Sequence, residues 1–214
     1  MYGSLRCVAG WDFNNDRMVR PEPGPAQFWD AIYCGERSTF HPGHVVTFEA
    51  NKPETALPHQ TEDWVVAGQV TNHGACAVET FQKVCKKSIV EGPGPDQAYG
   101  QHLRFSGFTP YVLEGTACSS LCGLELRASD LSFFEKMNGR GDIRLRAGFS
   151  LSGQRVDLSI AAKDFRQTYR AGGLPAAREL IAGARSLHIR LGLARAMDDG
   201  SGRCYPQVNG IYPI

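Results

Sequence analysis

In the last hundred residues apolar and polar side chains exchange places at successive positions over four separate stretches, and that period of two constrains the fold more than any other feature. Leu124, Leu126 and Ala128 alternate with Glu125 and Arg127, and Ile143, Leu145, Ala147 and Phe149 alternate with Arg144, Arg146 and Gly148. Val156, Leu158 and Ile160 alternate with Arg155, Asp157 and Ser159, and Leu187, Ile189 and Leu191 with His188 and Arg190. Each stretch reads as a strand with one face buried and one in water. Ser152-Gly153 between the second and third stretches predicts a hairpin turn. Lys163–Ala171 and Pro175–Ala184 read as helix broken at Gly172-Gly173, with Pro175 suited to a first helical turn. A turn at Asp198–Gly202 then leads into a last strand between Cys204 and Tyr212.

Three strands, a helix and two strands in about a hundred residues is the order of a small Greek-key barrel of the OB type. SH3-like and other small barrels fit the same order. The first half is less regular. Strands are expected at Leu5–Ala9, Arg17–Arg20, His44–Ala50 and Trp64–Val66, helix near Gln27–Tyr33 and again over Val78–Lys87, and a loop at Glu91–Pro95. The 214 residues accommodate two such units. The expected class is therefore mainly β with α (α+β): two OB-like Greek-key barrels in tandem, 1–115 with a helical or loop insertion and 116–214 as the second.

Several functions are argued against. No apolar run reaches the ~20 residues of a membrane helix. Met1–Cys7 lacks the pattern of an export signal, so a cytoplasmic location without a membrane partner is expected. The seven cysteines are odd in number and irregularly spaced, which reads as reduced thiols. Cys118/Cys122 and Cys76/Cys85 lack C-x2-C pairing and leave zinc open without pointing to it, and Pro42-Gly43 between His41 and His44 reads as a turn. Phosphate-binding loops, nucleophile elbows and zinc-hydrolase motifs are absent from the sequence, so neither catalytic residues nor a cofactor or metal are expected. Arg140-Gly141-Asp142 reads as a turn before a strand.

Charge divides unevenly. Residues 1–115 carry nine basic against thirteen acidic side chains, whereas 116–214 carry fourteen against nine, and twelve of those fourteen are arginine. Arginine makes planar, two-pronged contacts with phosphates and base edges. Arg127, Arg144, Arg146 and Arg155 fall in the polar register of the first three strands, and Arg190 in that of the fourth, so these five are the candidate nucleic-acid contacts. Glu125 and Asp157 share the register and offer an alternative use of the arginines in surface ion pairs. In the first half Arg20, His59 and Trp11 could line a pocket for a base or small ligand, or His59 could cap a loop while Trp64 fills a core.

Four segments together resemble the prokaryotic dual OB-containing domain family. Arg6–Gly10 with Arg17–Pro21 resembles its opening "GRCIAG…WIRP", and Gly43–Phe48 and Pro58–Trp64 resemble its "GDVV" and "PHQxENW" segments. Ile143–Ile160 resembles its second-half hairpin, and Leu187–Gly192 with Tyr205 its terminal strands. Ser159–Lys163 departs from the family's "SVTDP", so a role for that Thr-Asp pair does not carry over. The resemblance implies paired OB folds that bind nucleic acid in defence or DNA-processing loci, with no established catalysis. The expected partner is single-stranded DNA or RNA, with a protein partner in a larger assembly. The alternatives are a protein-interaction subunit and a nucleotide or small-ligand sensor.

Overall fold

Residues 5–35, 38–54, 57–137, 141–196 and 199–214 are described in a computed structural model. The first half contains β1 (Leu5–Arg6), β2 (Gly10–Asp12), β3 (Arg17–Glu22), β4 (Trp29–Asp30), β5 (His44–Asn51), β6 (Asp63–Ala75), α1 (Val78–Val90), α2 (Pro95–Ala98), β7 (Arg104–Ser106) and β8 (Thr109–Leu113). A four-stranded sheet runs β2-β3-β6-β5, and β1 pairs separately with β4. The helix expected near Gln27–Tyr33 is a short strand followed by a 3-10 turn, Ala31–Tyr33, which the Asp30 carboxylate caps by accepting from Ile32 N–H at 3.0 Å. The strand expected at Trp64–Val66 extends to Ala75. Its second part is half-buried or exposed throughout, so it carries no run of core residues to mark it.

The second half contains β9 (Leu121–Arg127), β10 (Ser132–Met137), β11 (Ile143–Leu151), β12 (Gln154–Ile160), α3 (Lys163–Glu179), β13 (Ser186–Leu193), β14 (Arg203–Cys204) and β15 (Pro206–Pro213). Six of these strands form one sheet in the order β10-β11-β12-β15-β13-β9, with β12 and β15 parallel. The two edges, β9 and β10, are consecutive in the chain and joined by the 3-10 turn Ala128–Asp130. The turn carries the seam, and among the described residues no ladder crosses it, so the sheets are not closed into the expected barrels. The class, mostly β with α, agrees with expectation. Ser152 and Gly153 take φ of 49° and 75°, the left-handed pair that matches a tight hairpin to the twist of its strands. Gly173, at φ 68° and ψ −161°, breaks α3 where the double glycine placed the break.

β10 is missing from the sequence reading. Phe133 points into the core and Phe134 away from it, and two adjacent aromatics hide the alternation. The halves are also interlocked. β14 pairs with β8, matching Cys204 to Val112. Tyr99 and Val112 lie in the same buried cluster as Phe149, Leu158, Ile189 and Val208. On α1, Phe81 meets Tyr212 of β15 edge-on at 5.0 Å. Arg140 and Asp198, which belong to two of the turns read from the sequence, lie outside the described residues.

Candidate nucleic-acid interface

Alternation along β10, β11 and β12 sends one set of side chains to the core and the other to the outer face. The register sets Lys136 beside Arg144, Phe134 beside Arg146, Arg146 beside Ser159 and Gly148 beside Asp157. Gly148 lies under the centre of this face. A Cβ there would stand 3.2 Å from the Phe134 ring and 3.4 Å from the Arg155 guanidinium, so the missing side chain lets an aromatic and a cationic plane converge over the sheet. Arg155 Nη2 donates to Ser132 Oγ at 3.3 Å, and Ser132 Oγ donates to the Gly148 carbonyl at 3.0 Å. Phe108, 65% exposed in the β7–β8 turn, comes alongside because its carbonyl accepts from Asp157 N–H at 2.8 Å. Phe108, Phe134, Lys136, Arg155 and Asp157 line a depression of about 290 Å³.

The predicted arginines divide among different surroundings. Arg144 is exposed and paired with Asp142 at 2.7 Å. Arg146 is nearly covered: it is ion-paired to Asp157, donates to the Asp157 carbonyl at 2.7 Å and also reaches Ser159 Oγ. Asp157 additionally accepts from Lys136 at 2.6 Å. Arg127 is on β9, past the seam, and pairs with Asp130 at 2.9 Å. Arg190 is half-buried on β13, with its Nε lacking a partner. Arg144, Arg146 and Arg155 thus share the β10–β12 face, whereas Arg127 and Arg190 stand on strands beyond it. Lys136, Phe134 and Phe108 were missed; the outward member of the Phe133-Phe134 pair was the available signal. On α3, burial, followed by the charges of Arg170, Arg144 and Arg6, holds the Arg166 value below that of an ordinary arginine.

The first-half candidates sit elsewhere. Arg20 and Asp63 are register partners on the parallel pair β3–β6, and Arg20 donates to Asp63 at 2.6 Å and to Ser120 Oγ at 2.9 Å. Glu62 accepts from Ser120 N–H at 3.0 Å and from Ser120 Oγ at 2.7 Å. The segments Arg17–Pro21 and Pro58–Trp64 therefore meet in a buried polar joint that grips the start of β9. His59 is buried, its Nδ1 accepting from Gly115 N–H at 3.3 Å, which is the loop-capping role weighed for it. Burial lowers its pKa. Trp11 belongs to a small apolar cluster with Met18 and Leu121, so it does not join a pocket with Arg20. Trp64 is not core either: Arg17 and Lys52 lie over its ring at 4.4 and 4.5 Å.

All seven cysteines are free thiols. Burial pushes Cys85 up to about 11 and Cys122 up to about 12, which keeps both protonated. Among the described residues there is no group of three or more His, Cys, Asp or Glu placed to hold a metal ion, and no helix long and apolar enough to cross a membrane.

Residues 1–211 match a family model described as "dual OB-containing domain". No curated protein and no solved structure matches the chain.

Proposed function

The chain belongs to the dual OB-containing domain family, and from that premise we propose that it is a non-catalytic module that binds single-stranded DNA or RNA across the outer face of β10–β12. OB folds in general bind nucleic acids and other oligomers, using this part of the sheet and its flanking loops. The observation that carries the reading is the convergence of Phe134 and Arg155 over Gly148, with Phe108, Lys136 and Arg144 around it. Flat side chains stack on unpaired bases, which a duplex keeps inside its own stack, and the surrounding cations answer the phosphates. The family resemblance supports placing the module in a larger prokaryotic assembly of defence or DNA processing.

Fluorescence anisotropy with labelled oligo-dT and oligo-U at low salt tests this. Salt-sensitive binding is expected, weakened about tenfold or more by Phe134→Ala, since one base stack contributes roughly 1–3 kcal/mol. Absence of binding to either strand at low salt would overturn it. A second reading, a protein partner, is favoured by Met137 and Ile143, a cross-strand pair 68% and 59% exposed at the end of the β10–β11 hairpin. Co-purification that survives nuclease treatment would support that reading.

A further inference from the structure

A second concavity, about 700 Å³, lies away from the β10–β12 face, between the PHQ segment and the chain leaving β13. Its size is in the usual range for a small-molecule site, roughly 300–1,000 Å³. Its lining includes Phe28, Leu57, His59, Gln60, Glu114 and Arg195. Both halves of the chain contribute, Arg195 from the second and the others from the first.

Two of the polar side chains here offer donors. His59 Nδ1 is occupied as an acceptor by Gly115 N–H, so the ring hydrogen is on Nε2, and Nε2 has no hydrogen-bond partner among the described residues. The Gln60 carbonyl accepts from Leu57 N–H at 3.0 Å, leaving its NH2 group in the same position. His59 and Gln60 are 3% and 7% exposed, so these donors are fixed in direction and not freely solvated. Arg195 adds a cation. Its guanidinium lies 4.1 Å over the Phe28 ring, donates to Glu22 at 3.2 Å and to the Ala26 carbonyl, and the side chain is still one-third exposed.

The wall is also held in a costly shape. Ala26 has φ of 56°, a left-handed conformation that alanine avoids, and it is retained by Glu22 accepting from its N–H at 2.9 Å and by Arg195 on its carbonyl. Strain of this kind collects at ligand clamps. Two fixed donors, a cation stacked on an aromatic ring, apolar Leu57 and an exposed Glu114 carboxylate line one cleft and describe an occupant with four properties. It is flat, rich in acceptors, negatively charged, and carries hydroxyl groups that a carboxylate can accept from.

We propose that this cleft binds a nucleoside phosphate, either free or as the end of a strand, with base acceptors on His59 Nε2–H and the Gln60 amide, phosphate on Arg195 and ribose hydroxyls toward Glu114. The site is separate from the β10–β12 face, and either can fail without the other.

Calorimetry with AMP, UMP, adenosine and inorganic phosphate on the full chain tests it. A nucleoside monophosphate should bind at least tenfold more tightly than adenosine or phosphate alone, and Arg195→Gln should remove that advantage while leaving the affinity for a 5′-hydroxyl oligo-dT unchanged. Comparison of oligo-U with and without a 5′-phosphate, in a Phe134→Ala background, separates the two sources of ligand, because the terminal nucleotide of an RNA strand keeps its 2′-hydroxyl: preference for the phosphorylated end points to a strand terminus, and equal weak binding to a free nucleotide. Should Arg195→Gln not fold, 8-azido-AMP photocrosslinking of the unaltered protein decides. Labelled peptides covering residues 26–28 or 57–60 support the site. Labelling confined to β10–β12, absence of labelling, or no nucleotide binding at millimolar concentration overturns it.

Discussion

Asp157 accepts from both Lys136 and Arg146, so one nearly buried carboxylate answers two of the cations on the outer face of the second-half sheet. A bound phosphate would stand as a rival to that carboxylate. Asp157→Asn should therefore tighten nucleic-acid binding severalfold and steepen its salt dependence by up to about one charge. Anisotropy titrations between 50 and 300 mM salt, a range chosen to span roughly one Debye regime to the next, read both quantities. Weaker binding by the variant would show that Asp157 organises the cations and does not compete for them.

Arg144 and Arg146 are two residues apart on one strand and differ in their dependents. Arg144→Ala should change stability by no more than about 0.5 kcal/mol, because its pair with Asp142 is exposed. Arg146→Ala leaves the Asp157 carboxylate without its closest partner in a nearly buried position, at a cost of about 1–3 kcal/mol. Urea unfolding of the two variants makes the comparison. Equal stabilities would mean that Lys136 alone suffices for Asp157.

Glu62 and Ser120 join the halves. Glu62→Ala removes the acceptor for Ser120 N–H and Oγ and leaves buried donors unanswered, so a loss of about 2–4 kcal/mol is expected. Hydrogen exchange should show the loss concentrated at the start of β9. Protection at Ser120 and Leu121 equal to that of the unaltered chain would count against the joint.

His188 is fully buried under α1 with neither ring nitrogen paired, and burial, helped by nearby Arg190, lowers its pKa to about 3. In the unfolded chain it titrates near 6.5. Between those values the unfolded state binds the extra proton, so stability is complete above about pH 6.5 and falls as the pH drops toward 3, by about 5 kcal/mol at most. His188→Leu should flatten that part of the curve. Denaturant midpoints measured from pH 7 to 4 decide; the same acid slope in both proteins would assign it to the carboxylates.

Legibility in the sequence followed burial. β11, β12 and β13 alternate in sequence and stood out, although β13 is covered on its second face as well, where the expected solvent-facing His188 is fully buried; the break in α3 was legible because glycine and proline act locally. β7 and β8 were not, since they form a hairpin too short to show a period, and the second ladder of β8 is to β14, far along the chain. The arginines of the outer face were read correctly in register, but register does not reveal an ion pair. Arg146 and Asp157 lie eleven residues apart in sequence and become diagonal neighbours only once the hairpin has formed. His59 and Arg195 are farther apart still, and the cleft they line exists only in the assembled chain.

The pairing of β14 with β8 has a consequence during synthesis. Val112 leaves the ribosome some ninety residues before Cys204, its ladder partner, does. The β7–β8 hairpin consequently waits with an open edge while nearly the whole second sheet is being made, and long-range closures of this kind are slow and vulnerable to association with other chains. A stop between the halves would release a polypeptide that already has its four-stranded sheet but can never acquire the strand that seals its last hairpin. Such fragments are expected to be substrates for chaperones and proteases, so the gene should tolerate changes within either half more readily than a division between them.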